Sequence, residues 1–263
     1  MIDTHCHINF DSYDEDRQAV IERAAEAGVD RIIIPAVDLE TSQQGIELSQ
    51  QYTGIYCAVG VHPNSTSTFA ESDIDALREL AQSEKVVAIG EIGLDYYWDK
   101  SPKDKQKQAF EAQLELAAAL SLPVIIHNRE ASEDVMDILE HWANSLQGPL
   151  KERPGILHSF SAPESIAERA LASNFYLGFT GPITFKKADD LRSIAAKVPL
   201  DKILVETDGP FLTPHPYRGK RNEPAYIPYI VDRLAGLHRL AVEEMAQATT
   251  ENAERLFALP VSN

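Results

Sequence analysis

Eight short β-branched segments alternate with longer segments of helical periodicity along the 263 residues of the chain. This alternation predicts an α/β fold, a (β/α)8 barrel of the TIM type. The segments are almost continuously apolar, which indicates parallel strands buried on both faces. No linker, low-complexity tract or change in composition divides the sequence, so we predict one domain over residues 1–263.

The predicted strands, in chain order, are Ile2–His7, Arg31–Val37, Ile55–Val61, Val86–Ile92, Val124–His127, Gly155–His158, Phe175–Thr180 and Ile203–Glu206. The predicted helices are Arg17–Ala27, Asp73–Gln82, Lys103–Leu120, Ser132–Ser145, Pro163–Ala172, Pro224–His238 and Val242–Leu259. The segment Gly209–Glu223 holds three of the 15 prolines and is predicted to be a long loop after strand eight. Long loops on that face of a barrel are typical of functional sites.

The charge balance restricts the classes of partner. There are 24 basic and 41 acidic side chains, giving a formal net charge of −17, whereas proteins that coat nucleic acid need a basic face. A local anion site within a cleft remains compatible with this charge.

No apolar run is long enough for a membrane span, no secretory signal precedes the first strand, and the two cysteines indicate no disulfide framework. We therefore expect a cytoplasmic enzyme without membrane contact; the sequence leaves its oligomeric state open, and a monomer is compatible with it.

Six imidazole or carboxylate side chains fall within a residue or two of the carboxyl ends of predicted strands, where barrel enzymes place their chemistry. They are His5, His7, Glu91, His127, His158 and Asp208. Any one of them alone is more simply read as a buried structural residue, but their shared position predicts a site. His5 and His7 are two residues apart on one strand, so their side chains project from the same face.

Mixed imidazole and carboxylate ligands suit a borderline divalent ion, and we expect one or two ions of zinc, manganese or magnesium. One catalytic zinc usually keeps only three protein ligands, so six ligands fit two ions better. Glu91 is central enough in the order of strands to bridge them.

Several motifs, in order along the whole chain, resemble the TatD family of metal-dependent deoxyribonucleases in the amidohydrolase superfamily. They are His5-x-His7, Gly60-Val61-His62-Pro63, Gly90-Glu91-Ile92-Gly93-Leu94-Asp95-Tyr96, His127-x-Arg129, His158-x-Phe160, Glu206-Thr207-Asp208, Pro216-Tyr217-Arg218-Gly219-Lys220, Asn222-Glu223-Pro224 and Thr250-Glu251-Asn252. The resemblance implies a centre in which His5, His7, Glu91 and Asp208 bind one ion. It implies that Glu91, His127 and His158 bind the other.

The expected chemistry is hydrolysis of a phosphodiester bond in single-stranded DNA by a metal-activated water. Asp208 would accept the proton of that water, with Glu91 as the second catalytic carboxylate. Glu206, two residues before Asp208, would support the site without binding the metal.

Three residues are candidates for substrate binding. Arg129 is two residues beyond His127 and is predicted to clamp a phosphate with its planar guanidinium; the alternative is a salt bridge to Glu130 or Asp134. His62 and Arg218 are weaker candidates for the same task. The aromatic run Tyr96-Tyr97-Trp98 either stacks on unpaired bases or packs the rim of the barrel.

Two other functions remain open at this stage. The same metal centre would serve a hydrolase of an amide, a lactone or the ester bond of an aminoacyl-tRNA. A barrel kept only as a binding module is the second alternative, and the intact set of ligand-type residues argues against it.

Overall fold

The computed structural model describes residues 1–261. Within this range eight strands form one sheet in the chain order β1 to β8. They are β1 (Ile2–Asp3), β2 (Arg31–Ile34), β3 (Ile55–Val59), β4 (Val86–Asp95), β5 (Val124–Arg129), β6 (Gly155–Leu157), β7 (Tyr176–Phe179) and β8 (Ile203–Val205). Strand pairs such as β1–β2, β4–β5 and β7–β8 are parallel. The predicted (β/α)8 fold class is confirmed.

Helices lie between successive strands and after the last one. They are α1 (Arg17–Glu26), α2 (Leu39–Gln51), α3 (Glu71–Leu80), α4 (Lys103–Leu120), α5 (Ser132–Ser145), α6 (Pro149–Glu152), α7 (Glu164–Ala172), α8 (Asp189–Ala195), α9 (Ile227–His238) and α10 (Val242–Phe257). Three of them, α2, α6 and α8, were not predicted. Among residues 1–261, no helix combines the length and the apolar character that crossing a bilayer requires.

Two compact units make up the described chain. The first contains Met1–Ile34, Ser159–Ser161 and the residues from Leu177 onward, and the second contains Pro35–His158 and Ala162–Tyr176. Each has its own buried apolar core, with side chains such as Ile33 and Leu204 in the first and Ile89 and Phe110 in the second. One domain over residues 1–263 stays a prediction, and its last two residues lie outside the described range.

Helix α4 shows how a helix positions the strand ends of the second unit. Gln106 and Gln113 are seven residues apart, so both face the sheet, and both are buried. Gln113 accepts a hydrogen bond from the Val61 amide at 2.7 Å and donates one to the Val61 carbonyl at 3.1 Å. Gln106 holds the Asp95 amide and carbonyl in the same way, at 2.8 and 3.0 Å. The segments that follow β3 and end β4 are thereby fixed in place.

Candidate metal centre

His5, His7 and Asp208 form a compact group in the first unit, here called the His5 cluster. The Nε2 atoms of His5 and His7 are 3.3 Å apart. One carboxylate oxygen of Asp208 lies 3.7 Å from each of them. His5 is fully buried, and the side chain of Asp208 is 15% exposed. The structure thus brings together three of the six predicted ligands.

Backbone hydrogen bonds outside the regular strands hold this cluster. Strand β1 ends at Asp3, earlier than predicted, and His5 and His7 lie in the irregular segment that follows it. Cys6 forms an isolated parallel bridge with Gly209, while the Asp208 amide donates to the His5 carbonyl at 2.8 Å. The predicted common face of His5 and His7 therefore survives beyond the end of the strand.

Asp208 has a left-handed backbone conformation, with φ of 54°. Strand β8 ends at Val205, so Asp208 belongs to the turn that follows the strand and not to its last residues. Side chains other than glycine, asparagine and aspartate rarely adopt this conformation, and residues that do so are concentrated at functional sites.

Asp3 was missed by the sequence analysis, although it ties the two segments of the His5 cluster together. It is fully buried and accepts hydrogen bonds from the Thr207 hydroxyl at 2.5 Å, the Thr207 amide at 3.0 Å and the His5 amide at 3.2 Å. Burial raises the pKa of Asp3 to about 7, against the opposing effect of these hydrogen bonds. A carboxylate this early in a buried strand is itself a signal that the sequence offered.

Glu206 is fully buried in the same unit. It accepts hydrogen bonds from the Thr4 hydroxyl at 3.3 Å and the Ser159 amide at 2.9 Å. A Cβ at Gly178 would collide with the Glu206 carboxylate, so glycine there lets the carboxylate keep this position. A carboxylate oxygen of Glu206 lies within 4.8 Å of a ring nitrogen of His5, which makes Glu206 a possible ligand as well as a support.

A second group, in the other unit, is arranged around Glu91 and is here called the Glu91 cluster: His62, Glu91, His127 and His158. One carboxylate oxygen of Glu91 lies 2.6 Å from His127 Nδ1. It lies 3.7 Å from His62 Nε2 and 3.9 Å from His158 Nε2. The structure thus brings together the other three predicted ligands, with His127 and His158 beside the Glu91 carboxylate.

The close approach of β4 and β5 helps to bring Glu91 and His127 together. Gly93 pairs in register with His127 and has φ of 144°. A Cβ at Gly93 would collide with the His127 carbonyl, so only glycine allows the two strands this contact. His158 follows β6, and its amide donates to the Ile126 carbonyl at 3.0 Å.

Both ring nitrogens of His127 meet a carboxylate. Nδ1 faces Glu91, and Nε2 lies 3.0 Å from Asp95, a buried residue that the sequence analysis did not select. Burial acts to lower the pKa of His127, but the hydrogen bonds to Asp95 and Glu91 prevail and raise it to about 9. Burial acts to raise the pKa of Asp95, but its hydrogen bonds with His127 and with the backbone amides of Trp98 and Tyr97 hold that pKa at about 2. With Nε2–H directed to Asp95, Nδ1 is the nitrogen positioned to bind a metal beside Glu91.

His62 was predicted to bind substrate, and its hydrogen bonds favour that role over metal ligation. Its Nδ1 accepts the Asn64 amide at 3.0 Å. Burial lowers the pKa of His62 to about 3, with a further contribution from His127. The ring is therefore neutral, with its proton on Nε2, which makes Nε2 a hydrogen-bond donor rather than a ligand.

The predicted phosphate-binding arginines have different surroundings. The Arg129 guanidinium lies 3.9 Å from the ring centroid of Tyr97, while Asp134, its alternative salt-bridge partner, pairs with Lys107 at 2.8 Å. Arg218 lies over Phe185 at 4.0 Å. The neighbouring basic residue Arg221 is bound to Asp16 through two contacts of 2.8 Å, so the loop after β8 presents less positive charge than its sequence indicates.

The donor atoms of the His5 cluster fit a divalent ion. Two nitrogen ligands at about 2.0–2.1 Å from a tetrahedral zinc ion lie roughly 3.3–3.4 Å apart. The observed separation of 3.3 Å between the two Nε2 atoms agrees with this value. The Glu91 cluster supplies the same donor types, imidazole nitrogen and carboxylate oxygen, which suit zinc and manganese.

The chain is similar to known metal-dependent hydrolases along its whole length. The family profile described as TatD related DNase matches residues 2–258. The chain is 46% identical over 259 residues to the Bacillus subtilis protein named "Uncharacterized metal-dependent hydrolase YabD", covering 98% of this chain and 99% of the relative. It is 38% identical over 266 residues to the "3'-5' ssDNA/RNA exonuclease TatD" of Erwinia amylovora, covering 98% and 100%. The crystal structure of YJJV, a TatD homolog from Escherichia coli K12, superposes with a TM-score of 0.91 at 34% identity, covering 99% and 98%.

Proposed function

The chain belongs to the TatD-related DNase family of metal-dependent hydrolases, as its motifs predicted, and we propose that it is an exonuclease acting on the 3′ ends of single-stranded DNA or RNA. The substrate and the direction of cleavage are proposed by analogy with relatives such as the Erwinia protein, whose name states both. A cytoplasmic location is part of the same proposal.

The observation that carries the proposal is the geometry of the His5 cluster, where two imidazole nitrogens and a carboxylate oxygen converge at ligand spacing. We propose that this cluster holds one divalent ion and that Glu91, His127 and His158 hold another. The ions would be zinc, manganese or magnesium. A divalent ion bound by these residues would supply Lewis acidity and would lower the pKa of a water, both of which promote hydrolysis of a phosphodiester.

The residues of the chain supply the remaining steps. Asp208 accepts the proton of the attacking water, because its carboxylate is partly exposed within the His5 cluster. Glu91 is the second catalytic carboxylate and orients His127 through their 2.6 Å hydrogen bond. His62 donates Nε2–H to a phosphate oxygen, and Arg129 and Arg218 contact phosphate, while Glu206 supports the segment that carries Asp208.

The direct test is cleavage of a 5′-labelled single-stranded 20-mer after chelation and re-addition of magnesium, manganese or zinc. We expect a ladder of products shortened from the 3′ end, and cleavage only with metal. If no metal restores cleavage but the protein hydrolyses a lactone or an aminoacyl ester, the nuclease proposal is wrong and the other class of hydrolase replaces it.

A further inference from the structure

Two aromatic side chains, Tyr97 and Trp98, are exposed directly after the strand that carries Glu91. They are 49% and 46% exposed, and their ring centroids are 4.8 Å apart with the planes nearly perpendicular. Tyr96, the first residue of the same run, differs: its hydroxyl bonds Asp134 at 2.5 Å, and Lys103 covers its ring at 4.0 Å. The structure therefore separates one half-buried ring, held by a hydrogen bond, from two rings that are about half exposed.

Positively charged side chains lie close to the two exposed rings. The Arg129 guanidinium lies 3.9 Å from the Tyr97 centroid and 5.6 Å from that of Trp98. Lys100 Nζ lies 5.7 Å from the Trp98 centroid. In a chain with a net charge of −17, this is a place where aromatic faces and positive charge occur together.

One buried carboxylate connects these rings to the Glu91 cluster. Asp95 accepts the amides of Tyr97 and Trp98 on one oxygen, at 3.0 and 3.1 Å. Its other oxygen meets His127 Nε2 at 3.0 Å and the Asn64 amide group at 3.2 Å. Arg129 is the register partner of Asp95 on β5. The exposed rings are thus held by the same residue that orients a predicted metal ligand.

We propose that Tyr97, Trp98 and Arg129, called here the stacking surface, bind an unpaired nucleobase of the substrate strand. The rings offer π-faces to the base, and the guanidinium of Arg129 and the ammonium group of Lys100 contact the neighbouring phosphate. Bases inside a duplex are already stacked on both faces, so the stacking surface selects single strands. This inference rests on the proposed exonuclease function and names a substrate-selecting subsite for it.

The test measures binding by fluorescence anisotropy, with Asp208→Asn present in every sample to prevent cleavage and manganese present throughout. The probes are labelled dT12, an abasic 12-mer with the same phosphates, and a blunt 12-base-pair duplex. We expect Trp98→Ala and Tyr97→Ala each to weaken binding of dT12 about tenfold, and to leave the affinity for the abasic strand at its unsubstituted value. Tyr97→Phe, which keeps the ring, should bind dT12 normally.

Tyr56→Ala is the matched control, because Tyr56 also lies beneath a lysine, Lys85, at 4.6 Å, but at the start of β3. It should leave dT12 binding unchanged. Equal binding of dT12 by the Trp98→Ala, Tyr97→Ala and reference proteins would overturn the stacking surface, as would equal losses on dT12 and the abasic strand. Failure of the wild-type protein to cleave any strand would instead count against the exonuclease function. A protein that neither binds nor cleaves overturns both.

Discussion

The His5 cluster and the Glu91 cluster contain the same kinds of side chain but are organised differently. In the His5 cluster, two Nε2 atoms approach each other to 3.3 Å with a carboxylate oxygen 3.7 Å from both. In the Glu91 cluster, the central imidazole donates to carboxylates on both sides, Glu91 and Asp95. The first arrangement converges on a point that suits a cation, whereas the second is organised by the protons of His127. The same imidazole and carboxylate groups can therefore be held in position either by converging on one point or by hydrogen bonds among themselves.

The largest expected effect tests whether the His5 cluster supplies the proton acceptor. Asp208→Asn keeps the size of the side chain but removes its charge and basicity, so we expect kcat/KM on a labelled oligonucleotide to fall about 10²–10⁴-fold. Metal content, measured by mass spectrometry, should fall far less than kcat/KM does, and Asp99→Asn is an exposed acidic control. Retained activity with an intact metal content would remove Asp208 from this role.

The second prediction tests whether, in the absence of metal, the hydrogen bonds donated by protonated His127 hold the Glu91 cluster together. The folded-state pKa of about 9 exceeds the ordinary value of 6.5. Protonated His127 therefore stabilises the folded state. This contribution to the free energy of unfolding is fully present below about pH 6.5 and is lost as the pH rises through about 9. The free energy of unfolding is measured in urea with a chelator present. The difference in this free energy between wild type and His127→Gln should shrink over this pH range, by at most about 3 kcal/mol. A difference that is constant with pH would contradict the comparison; His141→Gln, at an exposed position, is the control.

A third prediction asks how far Asp95 acts on metal binding through His127. Asp95→Asn keeps an oxygen to accept Nε2–H but removes the negative charge that orients the ring. We expect metal affinity to fall about 10–100-fold, measured by competition with a fluorescent chelator. Asp104→Asn, in the first turn of α4, should have wild-type affinity. Unchanged affinity in Asp95→Asn would mean that Asp95 only holds the turn after β4.

The smallest expected effect concerns substrate binding beside the Glu91 cluster. Arg129→Lys keeps the charge but loses the planar fork, so kcat/KM on a single-stranded oligonucleotide should fall about tenfold, or roughly 1.4 kcal/mol. Metal content should not change, since Arg129 is not a ligand, and an uncharged lactone, if accepted, should react at nearly the wild-type rate. An undiminished oligonucleotide rate would leave Arg129 with a structural role alone.

Much of the fold could be predicted because strands that are buried on both faces are almost continuously apolar. Helix α2 was not predicted because its sequence, which contains Thr41, Ser42 and Gly45, has weak helical propensity. A capping box between Asp38 and Thr41 begins it, and that signal was present in the sequence. Strand ends were less predictable, since hydrogen bonding, not composition, ends β1 at Asp3.

The site could be predicted as far as residue type and position at a strand end carry information. His127 and Glu91 belong to motifs near the predicted ends of two strands; both strands continue beyond them in the structure, which places the two side chains in contact. Asp3 and Asp95 are carboxylates within apolar strands, which the sequence shows, but their roles depend on which amides, hydroxyls and imidazoles lie around them, and only the structure shows that. The exposure of Tyr97 and the packing of Tyr96 also required the structure, because the two residues are chemically identical neighbours.

The left-handed backbone of Asp208 limits how this position can change during evolution or in a directed library. Most side chains would meet a conformational cost of about 1–3 kcal/mol there before any effect on chemistry was felt. Asparagine and glycine escape much of that cost, but neither accepts a proton as a carboxylate does. Glutamate, which keeps the carboxylate, would meet the backbone cost. Position 208 therefore has few neutral substitutions, and a library randomised there should return aspartate almost alone when selected for activity.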